Sequence, residues 1–220
     1  MPQSDYSSPV SSNQAWLHPR LAQTVQRHLS HAFRRPVAQH SAVAYEQLLA
    51  ALADRPRPLV LDSFCGTGQS TAALAQLHPQ HLVVGVDQSR HRLQKHQPTE
   101  RDNYLLLQAN AEDLWQLLLR DQLSLDHHYL LYPNPWPKSK YLQRRVHGHG
   151  SFPWLLQLGG SIELRSNWQL YVEEFGVAMH LTGRRGAVEQ ISGDPALTLF
   201  EKKYRASGHR LWRYCFQPAP

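Results

Sequence analysis

Apolar residues first recur at a helical spacing. "LAQTVQRHLSHAF" places Leu21, Val25, Leu29 and Ala32 three or four apart, and "SAVAYEQLLALA" repeats the pattern with Val43, Leu48, Leu49 and Leu52. Pro36 separates the two segments, because a proline cannot donate to a helix ladder. "DRPRP" then breaks the chain, and from residue 59 apolar runs alternate with amphipathic ones. "PLVLDSF", "HLVVGVD", "NYLLLQAN" and "LDHHYLLYPNPW" read as strands, with helices over "QSTAALAQLH", "SRHRLQKHQ" and "AEDLWQLLLRD" between them. Ser70 or Thr71 is the expected cap of the first of these helices and Ser89 of the second. A helix around Phe152 to Leu158, a Gly159-Gly160 turn, the strand "SIELRS" and the helix "WQLYVEEFGVAMH" follow. "LTLFEKKYRASGHRLWRYCFQP" reads as a loop and then a strand. This alternation predicts a Rossmann-like α/β fold, a doubly wound and mostly parallel sheet with helices on both faces, plus an N-terminal helical extension. The expected division is a polar, disordered lead-in over 1–14, the extension over 15–56 and the main domain over 57–220.

No apolar stretch is long enough to span a bilayer, and the N-terminus has neither a basic n-region nor an apolar h-region. The two cysteines, Cys65 and Cys215, lack metal-type spacing and read as free thiols in a reducing, cytoplasmic setting. Net charge is +6 with histidines neutral, which favours an anionic partner. The charge is clustered. "KSKYLQRRVHGHG" carries Lys138, Lys140, Arg144 and Arg145 with no acid, and "EKKYRASGHRLWR" carries Lys202, Lys203, Arg205, Arg210 and Arg213 against Glu201 alone. Tyr141, Tyr204 and Trp212 are interleaved with these cations, as suits RNA.

The chemistry begins at "LVLDSFCGTGQST". Gly66 and Gly68 follow a strand, but Thr71 replaces the third glycine of a dinucleotide fingerprint, and no Gly-Lys-Ser/Thr of a P-loop is present. Asp62 ahead of the glycines would repel pyrophosphate and can receive a bond from a cationic or hydroxyl-bearing ligand. Asp87, at the end of the second strand, stands where a carboxylate accepts ribose hydroxyls. Asn110, Ala111 and Glu112 end the third strand where an adenine edge is read. Ribose, adenine and a cationic amino-acid group without phosphate describe S-adenosylmethionine; the competing reading makes Asp62 and Asp87 capping or turn residues. Fourteen histidines, including "HGHG" and His127-His128, show no zinc spacing and read as polar surface. Cys65 has no histidine placed to activate it and reads as a small residue in a tight turn. Trp115 reads as core, and Trp136 as either a wall of the base pocket or a rigid loop plug.

At "YPNPWPKSKYLQRR" the chain resembles the tRNA (guanine-N7) methyltransferase family, which has Pro-Asp-Pro-Trp, a lysine and a basic run where this chain has Pro133, Asn134, Pro135, Trp136 and Lys138. "GGSIELRSNWQLYVEEF" and "TLFEKKYRASGH" are similar to its Gly-Gly/Asp-Trp/Tyr segment and its terminal Thr-x-Phe-Glu signature. The likeness runs from about Leu59 to the C-terminus and excludes the first 55 residues. It implies methyl transfer from S-adenosylmethionine to N7 of a guanine in tRNA or another structured RNA. Cofactor positions fall on Asp62, Asp87, Asn110 and Asn134, joined by Gly66, Gly68 and Ala111 from the loop reading. Substrate positions fall on Lys138, Asn167 and the Thr198–Glu201 signature; Trp136 is expected at the target pocket and Arg144 and Arg145 on phosphates. The family has an acid where this chain has Asn110, Asn134 and Asn167. Guanine N7 needs no deprotonation, so positioning can carry the reaction and Asn134 is the candidate at the reacting centre. An aspartate at 134 or 167 could accept both N–H groups of guanine's Watson–Crick edge, whereas an asparagine has one acceptor and one donor face, a pattern that suits adenine better. A relative acting on another base or a small molecule, and a non-catalytic RNA-binding or partner subunit, are the alternatives.

Overall fold

The structure, a computed structural model, describes residues 7–193 and 195–219. β1 (Leu59–Ser63) and β2 (Leu82–Asp87) are buried along their whole length. Strands covered on both faces read as continuous apolar runs rather than alternating ones, as these do. They pair in parallel, Leu59 opposite Leu82 through Ser63 opposite Val86. β3 (Tyr104–Gln108) pairs in parallel with β2, and β4 (His127–Leu131) with β1. With β5 (Ser161–Ser166), β6 (Ala187–Gln190) and β7 (Trp212–Phe216), the strand order is β3-β2-β1-β4-β5-β7-β6, with β6 and β7 antiparallel. The mostly parallel, Rossmann-like fold expected from the alternation is the one observed.

The helices are α1 (Leu21–Ser30), α2 (Gln39–Asp54), α3 (Gln69–Leu77), α4 (Arg90–Leu93), α5 (Ala111–Arg120), α6 (Phe152–Gln157), α7 (Gln169–Leu181) and α8 (Leu199–Ala206). α8 and β6 are among the elements that escape the sequence reading. α8 occupies the segment read as a loop, and β6 has all four residues exposed, so no apolar alternation marks it. α4 is one turn only, with Ser89 accepting the Arg92 N–H as expected of its cap. The cap expected at Ser70 or Thr71 is instead Gly68, whose φ of 74° only glycine adopts without cost.

The chain divides into two compact units that cut across the expected boundaries. One comprises the N-terminal segment to Phe33, Tyr132–Phe152 and Glu163–Ala219; the other comprises Arg34–Leu131 and Pro153–Ile162. α1 and α2, expected as one extension, therefore belong to different units. In the second unit, α2 packs on α5, and Trp115 is buried with its Nε1–H on Ser63 Oγ at 3.0 Å. In the first, α1 packs on α7; its Leu21 and Val25 are buried, while Leu29 stays exposed. Residues 7–14, expected to trail free, are held: Ser12 Oγ donates to Pro137 O at 2.6 Å and Gln14 Nε2 to Glu174 Oε1 at 2.6 Å. Residues 1–6 of that lead-in lie outside the described residues.

Candidate active site

The glycine loop leaves β1 through Phe64, Gly66 and Gly68, at φ of 66°, 62° and 74°. Cys65 N–H donates to Val86 O and Gly68 N–H to Cys65 O, both at 3.0 Å, which closes the turn. A Cβ on Gly68 would stand 2.6 Å from Leu106, whereas one on Gly66 would meet nothing within 4 Å. Gly68 is therefore a packing requirement, and Gly66 borders open space of the kind a ligand needs. Burial pushes the Cys65 thiol well up, which removes it as a nucleophile.

Asp62 is fully buried. Its Oδ2 accepts the hydroxyls of Ser70 at 2.7 Å and Thr71 at 2.8 Å, and its Oδ1 has no partner. Burial raises this carboxyl, the two hydroxyls lower it, and the Asp87 charge raises it again; the balance lies at about 6. Asp87 accepts Gly66 N–H at 3.0 Å and Ser89 N–H at 2.8 Å, and Arg92 Nη1 stands 3.4 Å away. Its turn-shaping role is thus real, and four lone-pair sites leave it capacity for a hydroxyl.

Asn110 has a local reason to be an amide. Its Nδ2 donates to Asp113 Oδ2 at 2.9 Å, where an aspartate would set two carboxylates against each other. Asp113 also takes Ser41 Oγ at 2.8 Å and Ala38 N–H at 3.2 Å, tying α2 to the start of α5 beside buried Ala111. Sequence reasoning passed over Asp113, since a helix-start acid reads as a dipole partner.

The other unit carries the remaining candidates. Tyr132 and Trp136 hold φ of 56° and 46°, a region bulky side chains rarely occupy. Asn134 is exposed, and its Oδ1 accepts Trp136 N–H at 3.2 Å. Arg144 lies over Trp136 and Tyr141, 4.7 and 4.8 Å from the ring centres, and Lys140 lies 5.1 Å over Tyr141. Lys138, Lys140 and Arg144 are exposed.

Arg145 corrects the sequence reading: it is wholly buried, so it offers no charge to a phosphate. Its guanidinium pairs with Glu174, donates to Trp136 O at 3.2 and 3.3 Å and to Gln14 Oε1 at 2.9 Å, and lies 5.0 Å over Trp168. Those bonds hold the strained Trp136 backbone in place. His147, expected on polar surface, is also fully buried, with Nε2 3.2 Å from Glu174 and its pKa lowered by burial. Burial would raise Glu174, but His147, Arg145 and the His18 N–H outweigh it and hold the carboxyl at about 2. Sequence carried one signal for Glu174, an acid on the apolar face shared with Tyr171, Phe175 and Ala178.

Thr198 and Glu201 also prove to be internal. Thr198 caps α8 by accepting Glu201 N–H at 2.9 Å, and Glu201 is fully buried against Arg165 and Arg205 at 3.1 and 2.5 Å. A direct substrate contact from Glu201 is unavailable in this arrangement. Asn167 Nδ2 bonds His209 Nδ1 at 3.1 Å, and His209 Nε2 bonds Ser7 O at 2.8 Å. A carbonyl at Ser7 requires Nε2–H, so Nδ1 accepts from the Asn167 amide. Among the described residues no group of His, Cys, Asp and Glu is arranged to hold a metal, and no helix is long and apolar enough to cross a membrane.

Residues 56–214 match the family described as "Putative methyltransferase". A tRNA (guanine-N(7)-)-methyltransferase of Nitrosospira multiformis is 27% identical over 192 residues, spanning 77% of this chain and 78% of that protein. The protein of the same name from Nitrosococcus oceani is 28% identical over 187 residues, spanning 77% and 75%. Among solved structures, the 16S rRNA methyltransferase KamB superposes with a TM-score of 0.55 at 20% identity, over 86% of this chain and 98% of that one, which speaks to the fold. With the family match covering the glycine loop, the carboxylates and the proline-rich loop together, the chain belongs to this methyltransferase family.

Proposed function

We propose that this methyltransferase carries the methyl group of S-adenosylmethionine to N7 of a guanine in tRNA. The observation that bears most weight is Asp62 Oδ1, a buried carboxylate oxygen without a partner near the end of β1, just ahead of the loop where Gly66 borders open space. A group bearing an ammonium and a sulfonium satisfies such an oxygen, while a phosphate does not. Asp62, Gly66, Gly68 and Asp87 would hold the cofactor, with Asn110 and Ala111 at the base edge. Bound there, S-adenosylmethionine supplies an electrophilic methyl group.

The chain's own task is then orientation. Guanine N7 has a free lone pair, so no residue must remove a proton, and an amide at Asn134 is compatible with turnover. With Asn134 Oδ1 taken by Trp136 N–H, its Nδ2 is the remaining donor. That donor matches guanine O6. Trp136 would wall the target, with Lys138 and Arg144 on phosphates. Relatives that act on tRNA, at about the same identity over three quarters of the chain, support the substrate class.

The test is incubation of the purified protein with bulk tRNA and isotope-labelled methyl donor, followed by nucleoside mass spectrometry. Label in 7-methylguanosine is the expected result. Label in another nucleoside would transfer the reading to a different base, and none at all would point to a subunit without activity of its own.

A further inference from the structure

Two acid-free stretches of sequence, residues 7–45 and 132–150, contribute to one concavity in the unit that contains α1. It measures about 960 Å³ and is lined by Arg20, Gln23, Arg27, Lys140, Arg144 and His149, among others, with no carboxylate in its wall. Resting on the RNA reading above, we propose that this concavity docks the phosphate backbone of the RNA. The N-terminal segment, through Arg20 and Arg27, is then half of the grip.

The geometry fits a polyanion. Arg20, Arg27, Lys140 and Arg144 are all exposed. Arg20 and Arg27 are seven residues apart, which places them on one side of the helix at a separation of about 10 Å. That span exceeds one phosphate group and suits a run of backbone. Arg144 lies over two aromatic rings, so its planar fork is ordered before a ligand arrives. The first turn of α1 has no acid, and its helix dipole adds positive potential at that end.

The walls are fixed to each other. His28 Nε2 bonds Gly148 O at 3.1 Å, Ser139 N–H donates to Asn13 Oδ1 at 3.1 Å, and Ser12 Oγ holds Pro137 O. A Cβ at Gly148 would stand 2.0 Å from Leu142 O, so the turn carrying these contacts is tight. A preformed cationic surface loses little ordering entropy on binding.

The experiment compares the wild type with the double variant Arg20→Gln/Arg27→Gln. Binding of fluorescent tRNA is followed by anisotropy from low to moderate salt, and the methyl donor is titrated by calorimetry. Both arginines are exposed, so the variant should fold. We expect tRNA affinity at low salt to fall on the order of 10- to 100-fold and the log–log salt slope to shrink by about 2. Donor affinity should be unchanged, because neither residue belongs to the unit with the glycine loop. An unaltered slope and affinity would overturn the proposal while leaving the RNA reading standing. Inorganic tripolyphosphate binding as tightly as tRNA, and lost in the same variant, would also overturn it in favour of a small-anion site. A wild-type protein with no affinity for tRNA would sink the RNA reading itself, a result that needs no variant to see.

Discussion

Asp62 links burial to function at the scale of one residue. Because its folded pKa of about 6 exceeds that of an unfolded aspartate, the native state holds a proton that the unfolded chain releases. Its contribution to stability is present below about pH 4 and is lost as pH rises through 6. Asp62→Asn keeps an acceptor for Ser70 and Thr71 and removes the charge. Urea denaturation should find that variant more stable at pH 7, by roughly 1–3 kcal/mol, and indistinguishable at pH 4. A cationic ligand favours the ionised form, so wild-type affinity for S-adenosylmethionine should weaken about tenfold per unit below pH 6. Calorimetry of the variant should show weaker binding with no such pH dependence. Asp87→Ala removes the acceptor of Gly66 and Ser89 N–H as well as any hydroxyl contact. Donor affinity should collapse, and an unchanged calorimetric constant would refute the cofactor assignment.

At the scale of elements, two contacts decide whether the loops keep their shape. β2 passes so close to α3 that a Cβ at Gly85 would lie 2.2 Å from Thr71 Oγ1. Gly85→Ala should cost about 1–3 kcal/mol by overpacking and should loosen donor binding, because the displaced hydroxyl is the one on Asp62. Denaturation and calorimetry on the same sample check both halves. Glu174 of α7 has its carboxyl pKa shifted in the opposite direction to that of Asp62. Its carboxyl, held at about 2, adds stability above pH 4.5 that disappears as pH falls toward 2. Glu174→Gln leaves the Arg145 charge buried without a counter-ion, a loss of about 3–5 kcal/mol. Denaturation from pH 2 to 7 should find the loss at neutral pH and find it vanishing at the acid end.

For the whole molecule, the unexpected feature is the standing of the N-terminal segment. Gln14 and the His18 N–H both reach Glu174, so residues before α1 complete the buried network instead of trailing from it. A variant lacking residues 1–19 forfeits three charge-assisted bonds, two to Glu174 and one from Arg145 to Gln14 Oε1. Its thermal midpoint should drop on the order of 5–10 °C by calorimetry, and a midpoint within a degree of wild type would contradict the role given to this segment.

What the sequence determined by itself was local and periodic: the alternation of strands and helices, the glycines that turn β1 into α3, and the ordered motifs of the family. Such features are legible because spacing along a chain dictates them. Arg144 and Arg145 mark the limit. They are neighbours of one type, yet one lies exposed on two aromatic rings and the other is sealed against Glu174. The same holds for Glu201 and His147, which look like surface chemistry in sequence and are buried polar partners in the fold. Only tertiary structure decides this, because the cost of burying a charge depends on a partner supplied from far along the chain. Spacing says nothing about where that partner will be.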